Sequence, residues 1–228
     1  LTASGFAAQR NPAIDALGHH QLAAETAYSV AYPMLAMALH AGFDELHHSA
    51  LKQLRVLRDH LSADDDLHLR YNLTHHEHTF SNWSRGVAWY AIGLVRTLKL
   101  LSPEQRPDDL LAEVDRVATW AARHQEADGT WPCFIKEHGI LPDTSGTAGI
   151  AAAIALAVRH GMIAPHHRAT AERAQAGLRP YLSSDGWLRG VAQSNKRETH
   201  DIDIQRMPYR VIGPWGMGMY AQLLAALN

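Results

Sequence analysis

The feature that most constrains the fold of this chain is an internal repeat of roughly sixty residues. In each repeat an Ala/Leu-rich, almost uncharged segment is followed by a more polar, amphipathic one. The three pairs cover residues 26–40 with 44–61, 85–101 with 107–125, and 148–160 with 165–182. Each pair leads into an acidic turn, and a fourth apolar segment follows at 215–227.

This alternation predicts an all-α fold, an (α/α) barrel of helical hairpins that forms a single domain over residues 1–228. A helix that is apolar all round must be enclosed, whereas a helix with a charged face looks outward. An open superhelical stack of helix pairs is the alternative. Closed barrels of this kind have six hairpins, so we expect the first hairpins to be absent from this chain or supplied in another way. Short β-hairpins are expected at 131–135 and 188–192.

Composition excludes several classes of function. The formal net charge of the 228 residues is -2, so no global field attracts nucleic acid or an anionic membrane. No apolar stretch is long enough to span a bilayer. The single cysteine, Cys133, cannot form an intramolecular disulfide, which fits a reducing compartment but leaves both the cytoplasm and the periplasm open. Homo-oligomerisation also stays open.

The unusual residues lie where the predicted inner helices begin. Inner helices of such a barrel run parallel, so their N-termini meet at one end of the central cavity. Free N–H groups and positive helix ends favour an anionic ligand there. Trp83, Arg85 and Trp89 open the second inner helix, and Trp215 opens the last. Indole faces stack on sugar rings and guanidinium forks onto carboxylates, so we expect a sugar that carries a carboxylate.

Three motifs resemble those of the unsaturated glucuronyl and rhamnogalacturonyl hydrolases, families 88 and 105 of the glycoside hydrolases. They are Trp-x-Arg-Gly-x-x-Trp at 83–89, Asp-Gly-x-Trp at 128–131 and Ser-Gly-Thr-Ala at 145–148. The resemblance runs from about Glu25 onward. It implies a six-hairpin barrel, an oligosaccharide substrate, and neither metal nor cofactor. It also implies a reaction in which a carboxylic acid protonates C4 of a 4,5-unsaturated uronic acid, water adds at C5, and the hemiketal collapses to release the sugar.

The resemblance assigns Glu25 and Arg85 as catalytic residues. Glu25 stands where the family has its catalytic aspartate, and Ala23 stands where the family has a tryptophan. Asn72 stands where the family has a histidine. The candidate substrate-binding residues are Tyr28, Asn72, His75, His76, Trp83, Trp89, Trp131, Ser145, Thr147 and Trp215. The polar segment 193–198 is a further candidate for contact with the leaving sugar.

Structural alternatives stand beside these assignments. Glu25 could be a capping carboxylate in the first turn of a helix. Arg85 could form a structural ion pair at the rim of the barrel, and Trp131 could be a packing residue. Because glutamate reaches about one methylene further than aspartate, hydrolysis of a saturated uronide by ordinary acid/base catalysis is an alternative reaction. A non-catalytic carbohydrate-binding barrel is the alternative function.

Overall fold

The computed structural model describes residues 21–194 and 202–228. In chain order its helices are α1 (Tyr32–Ala41), α2 (Asp44–Leu61), α3 (Ser84–Lys99), α4 (Asp108–Arg123), α5 (Thr144–Arg159), α6 (Arg168–Leu178), α7 (Ile202–Arg206) and α8 (Pro214–Leu227). A single π-helical turn, Ala27–Ala31, precedes α1, and short 3-10 turns lie at Pro103–Gln105, Pro165–His167 and Arg179–Tyr181. None of the described helices is long and apolar enough to cross a membrane.

Helices α1, α3, α5 and α8 form the inner layer, and α2, α4 and α6 form the outer one. Helix α5 buries all but a few of its sixteen residues, polar Thr144 and Ser145 included, which is expected of an enclosed helix. Helix α2 instead buries one face, and its acidic start at Asp44 and basic end at Arg58 suit the helix dipole. The predicted alternation of inner and outer helices is therefore confirmed.

Neighbouring inner helices pack closely at glycines. Helix α3 lies between the π-helical turn and α5, and α5 lies between α3 and α8. A Cβ on Gly93 of α3 would lie 2.4 Å from the carbonyl carbon of Ala27, so only glycine permits this approach. A Cβ on Gly146 of α5 would lie 2.3 Å from the hydroxyl oxygen of Ser84. The inner helices follow one another in the order α1, α3, α5, α8.

An ion-pair network joins the first two outer helices. Asp109 of α4 accepts hydrogen bonds from Arg55 Nε at 2.8 Å and from Arg58 Nη1 at 2.9 Å, both on α2. These bonds, Arg55 first, hold the pKa of the Asp109 carboxyl far below its usual range. All three side chains are partly exposed, so the network stabilises the fold only modestly.

A small antiparallel sheet accompanies the helices and was not predicted. Its strands are β1 (Gln21–Ala23), β2 (Ser62–Ala63), β3 (Asp66–Asn72) and β4 (Glu77–Ser81), and each of the other three pairs with β3. The β-hairpins predicted at 131–135 and 188–192 are wrong as regular strands. Those segments make isolated bridges, Trp83 with Phe134, Leu182 with Leu188 and Val191 with Val211. The first of these bridges holds the chain that enters α3.

Candidate active site

A cavity of about 260 Å³ lies at the N-terminal ends of the inner helices. Its walls are formed by Glu25, Leu69, Trp83, Arg85, Trp89, Ser194 and Trp215. Glu25 precedes the π-helical turn, Arg85 and Trp89 belong to the first turns of α3, and Trp215 belongs to the first turn of α8. The structure thus brings five of the predicted site residues to one cavity. Of the segment 193–198, Ser194 reaches the cavity, and residues 195–198 lie outside the described part.

Glu25 is fixed from both sides along the chain. Before it, β1 pairs with β3, and the Ala24 N–H donates to the Leu69 carbonyl at 2.8 Å. After it, the Thr26 hydroxyl donates to the Ala23 carbonyl at 2.6 Å and the π-helical turn begins. The carboxylate oxygen Oε2 of Glu25 is buried and has no hydrogen-bond partner among the described residues. Leaving a buried acceptor unpaired costs about 1–3 kcal/mol. A ligand that donates a hydrogen bond to this oxygen removes that cost.

Arg85 is buried between two indole rings. Its guanidinium carbon lies 4.3 Å from the ring centroid of Trp83 and 5.2 Å from that of Trp215. Burial lowers the pKa of Arg85, and the charge of Asp143 opposes that shift. The guanidinium still keeps its charge, because arginine does not deprotonate in proteins. Arg85 therefore places a fixed positive charge behind the tryptophans of the cavity wall.

The terminal nitrogens of Arg85 are bonded to the protein itself. Nη1 donates to the Ala192 carbonyl at 2.6 Å, to the Ser145 hydroxyl at 3.2 Å and to Asp143 Oδ2 at 3.4 Å. Nη2 donates to the Gln193 carbonyl. The predicted fork onto a substrate carboxylate is not the arrangement seen, since both nitrogens already have acceptors. The geometry instead matches the rim ion pair that stood as its alternative.

Asp143 is a site residue that sequence reasoning missed. It caps α5, is fully buried, and its Oδ1 accepts from the Ser145 N–H at 3.0 Å, the Ser145 hydroxyl at 2.6 Å and the Ala192 N–H at 3.1 Å. Its signal was an aspartate directly before Thr-Ser at the start of a helix, which is an N-cap pattern. The carboxylate thereby connects α5, the segment at Ala192 and Arg85.

Three predicted substrate-binding residues serve the protein interior instead. Ser145, Thr147 and Trp131 are fully buried. The hydroxyl of Thr147 accepts from the Trp131 N–H at 3.1 Å, and the Trp131 indole donates to the Ala121 carbonyl at 2.9 Å. None of the three lines the cavity of Glu25. They hold the helices whose ends form the cavity, and their predicted contact with substrate stays a prediction.

Tyr28 stands behind the cavity wall. Its ring centroid lies 5.2 Å from that of Trp89, and its hydroxyl accepts from Arg96 Nη1 at 3.0 Å. Trp89 itself is half-buried and lines the cavity. Tyr28 therefore supports Trp89 rather than forming the surface itself.

The predicted contacts of Asn72, His75 and His76 with substrate stay predictions. All three lie in or beside the turn that joins β3 to β4, and none lines the cavity. Asn72 Oδ1 accepts from the N–H groups of Thr74 at 2.9 Å and His75 at 3.0 Å, so its side chain shapes the turn. The ring of exposed His76 meets the Tyr71 hydroxyl at 2.9 Å. In this structure the histidine position of the family resemblance is part of a surface turn.

The fold and the cavity define a helical-hairpin barrel protein with an aromatic, carboxylate-bearing cavity at the N-terminal ends of its inner helices. The sequence model of Glycosyl Hydrolase Family 88 matches residues 16–227, and the chain belongs to this family. The family relationship confirms the predicted (α/α) barrel of helical hairpins. No curated protein sequence matches the chain significantly.

Solved structures share the fold. One, from Salmonella enterica serovar Paratyphi A and described as a possible member of glycoside hydrolase family 105, has a TM-score of 0.82 at 23% identity over 90% of this chain and 56% of that one. The unsaturated glucuronyl hydrolase of Bacillus sp. GL1 has a TM-score of 0.77 at 18% identity over 98% and 62%. An unsaturated glucuronyl hydrolase specific for heparin has a TM-score of 0.73 at 14% identity over 91% and 59%. The chain thus spans roughly three fifths of the length of these proteins.

Proposed function

We propose that this protein removes a terminal 4,5-unsaturated uronic acid from an oligosaccharide. One observation carries the proposal: a cavity that joins three indole side chains to a buried carboxylate oxygen of Glu25, which has no hydrogen-bond partner in the described part of the chain. Family membership supports hydrolysis of a glycoside. The structural neighbours described as unsaturated glucuronyl hydrolases, one acting in glycosaminoglycan degradation and one specific for heparin, support a uronic acid as the sugar.

The cavity suits one sugar ring. Its volume of about 260 Å³ falls just below the range of about 300–1,000 Å³ typical of small-molecule sites. Trp83, Trp89 and Trp215 offer aromatic surface for the C–H faces of a pyranose. The indole N–H of Trp215 is buried without a hydrogen-bond partner among the described residues, so a ligand oxygen there would satisfy it.

The charges favour a carboxylate on that sugar. The first turns of α3 and α8 present their positive dipole ends to the cavity, and Arg85 adds a buried positive charge that Asp143 partly balances. Because the terminal nitrogens of Arg85 are already bonded to the protein, Arg85 acts on a substrate carboxylate through its charge and not through direct hydrogen bonds. A field of this sign stabilises a uronate over the matching neutral sugar.

Glu25 can supply the proton transfers that hydration requires. Among the described residues that line the cavity, Glu25 is the one acidic side chain. Ordinary glycosidases use two carboxyl groups that flank the scissile bond. Hydration of a vinyl ether needs one group that gives a proton and takes one back, and Glu25 can fill that role.

The proposed reaction begins with proton transfer from Glu25. The Glu25 carboxylic acid gives its proton to C4, which forms a C–H bond and leaves a cation shared by C5 and the ring oxygen. Water adds to C5 and returns a proton to the Glu25 carboxylate. The hemiketal opens by breaking the bond between C5 and the ring oxygen, and the resulting hemiacetal at C1 releases the alcohol of the next sugar. One water is consumed.

A product assay tests the proposal. Oligosaccharides made by a uronate-specific lyase carry the unsaturated terminus, and acid-hydrolysed oligosaccharides of the same polymer do not. We expect loss of the ultraviolet absorbance of the double bond together with release of a shortened sugar, and no release from the saturated set. Equal release from both sets would establish acid/base hydrolysis of saturated uronides instead. Binding of both sets without turnover would establish a carbohydrate-binding barrel.

A further inference from the structure

A second and larger cavity lies at the opposite ends of the inner helices. Its volume is about 380 Å³, and its walls come from the last turns of α3, α5 and α8. The Glu25 cavity is formed by the beginnings of the inner helices, so the two cavities share no lining residue. The second one plays no part in the function proposed above.

Positive charge is concentrated around this cavity. Arg96, Lys99, Arg159 and His160 line it, and no acidic side chain does. Among the described residues, none of the ion pairs involves Arg96, Lys99 or Arg159. Three permanent cations without a carboxylate are unexpected in a chain whose formal net charge is -2. The cluster is therefore local and not a consequence of a basic composition.

Cations at helix C-termini often only neutralise the negative end of the dipole. Arg159 fits that role in part, because its Nη1 donates to the Ala225 carbonyl at 2.6 Å. Arg96 and Lys99 also lie in the last turn of α3. Arg96 in addition donates to the Tyr28 and Tyr32 hydroxyls, each at 3.0 Å, and to Gln222 Oε1 at 3.3 Å, which are all uncharged. Exposed Lys99 makes no hydrogen bond within the described part of the chain. Dipole compensation thus acts on all three cations, but none of them is paired with a carboxylate among the described residues.

The pKa of His160 is shifted in the direction expected for an excess of positive charge. Burial lowers the pKa of His160, and the charges of Lys99, Arg106 and Arg159 lower it further. No acidic group opposes this shift. An anion in the cavity would relieve the mutual repulsion of these groups.

We propose that this cavity binds a dianionic oxyanion group, a phosphate or a sulfate, either as the free ion or as an ester on a small sugar. Lys99 lines the cavity with an ammonium group that makes no hydrogen bond within the described part of the chain, and Arg96 and Arg159 add positive charge beside it. Guanidinium and ammonium groups are the usual protein partners of such oxyanions. The volume of the cavity also admits a group larger than the ion itself, such as one sugar ring.

Calorimetric titration at low salt tests this with three probes: glucose 6-phosphate, inorganic phosphate and glucose. The variant protein is Lys99→Gln/Arg159→Gln, which removes two of the cavity cations. The matched control is Lys52→Gln/Arg179→Gln, which removes one exposed lysine and one exposed arginine that lie outside the cavity. Thermal melting of both variants checks that they fold.

We expect the wild type and the control to bind at least one phosphate compound, and the cavity variant to bind it roughly tenfold more weakly. Tighter binding of glucose 6-phosphate than of inorganic phosphate would identify the sugar ester as the ligand, and equal binding would identify the free ion. If the cavity variant does not fold, Lys99→Gln alone should weaken binding about two- to fivefold. No binding of either phosphate compound, equal losses in variant and control, or equally tight binding of glucose would overturn the proposal.

Discussion

Replacing Asp143 by asparagine tests the network behind the cavity wall. The change removes the carboxylate paired with Arg85, and the side chains of the two residues are 0% and 4% exposed, so solvent does not screen the loss. Removing one partner of a buried ion pair costs about 3–5 kcal/mol. The pair is long at 3.4 Å, and Arg85 keeps the Ala192 carbonyl at 2.6 Å, so we expect the lower end, about 3 kcal/mol. For a domain of this size that lowers the melting temperature by about 6–12 °C.

Differential scanning calorimetry measures this effect against a matched control. Asp185→Asn changes an exposed carboxylate that accepts one hydrogen bond, from the Ser183 hydroxyl at 2.5 Å, and should melt close to the wild type. The near-ultraviolet circular dichroism of the indoles should also change in Asp143→Asn, because Arg85 lies against Trp83 and Trp215. If Asp143→Asn melts within about 1 °C of Asp185→Asn, the buried pair does not stabilise the site and the reasoning fails.

Three further outcomes are expected. Gly93→Ala should destabilise the fold by about 1–3 kcal/mol, because the new Cβ would lie 2.4 Å from the backbone of Ala27. Gly218→Ala should not, because a Cβ there meets nothing within 4 Å. Urea unfolding compares the two variants. Burial raises the pKa of Cys133 from 9.0 to about 12, so iodoacetamide at pH 8 should label Cys133 only in denaturant. The stability that the buried, protonated thiol contributes to the fold should be lost as pH rises from 9 toward 12. Hydrogen bonds from two arginines lower the pKa of Asp109. The wild type should therefore be more stable than Asp109→Asn by about 1 kcal/mol or less. This difference in the free energy of unfolding should have its full value above pH about 4 and become smaller as pH falls.

Much of the helical architecture could be predicted from the sequence. The period of apolar residues placed the second helix at 44–61, which agrees with α2, and placed the other helices of the repeat within a few residues of their observed ends. The short helix α7 lies outside the repeat and was not predicted. The sheet could not be predicted in the same way. Strand β3 has His68 between buried Leu67 and Leu69 and continues with Arg70, and the polar, His-rich segment that follows it is typical of a loop. Its pairing with β1 depends on a contact between segments about fifty residues apart.

The cavity could be predicted in outline but not in its contacts. Parallel inner helices bring their first turns together, so Glu25, Arg85 and Trp215 could be placed near one another from the repeat alone. The orientation of the Arg85 guanidinium depends on hydrogen-bond acceptors in distant segments of the chain. The Ala192 carbonyl is 107 residues from Arg85, and no local pattern reveals it. The interior contact of Trp131 could not be predicted for the same reason, because its acceptor is a helix-end carbonyl of α4.

Single-turnover kinetics of Glu25→Gln on a lyase-generated unsaturated disaccharide test the central claim most directly. The amide is nearly isosteric with the carboxylate but cannot give a proton. The account predicts a rate lowered about a hundred- to ten-thousand-fold, with unchanged melting and disaccharide affinity preserved within about fivefold. Glu25→Asp should retain part of the rate, because it keeps the acid and shortens the reach. A Glu25→Gln protein that folds, binds and turns over at the wild-type rate would contradict the account, and Glu25 would then be only the carboxylate that precedes the first inner helix.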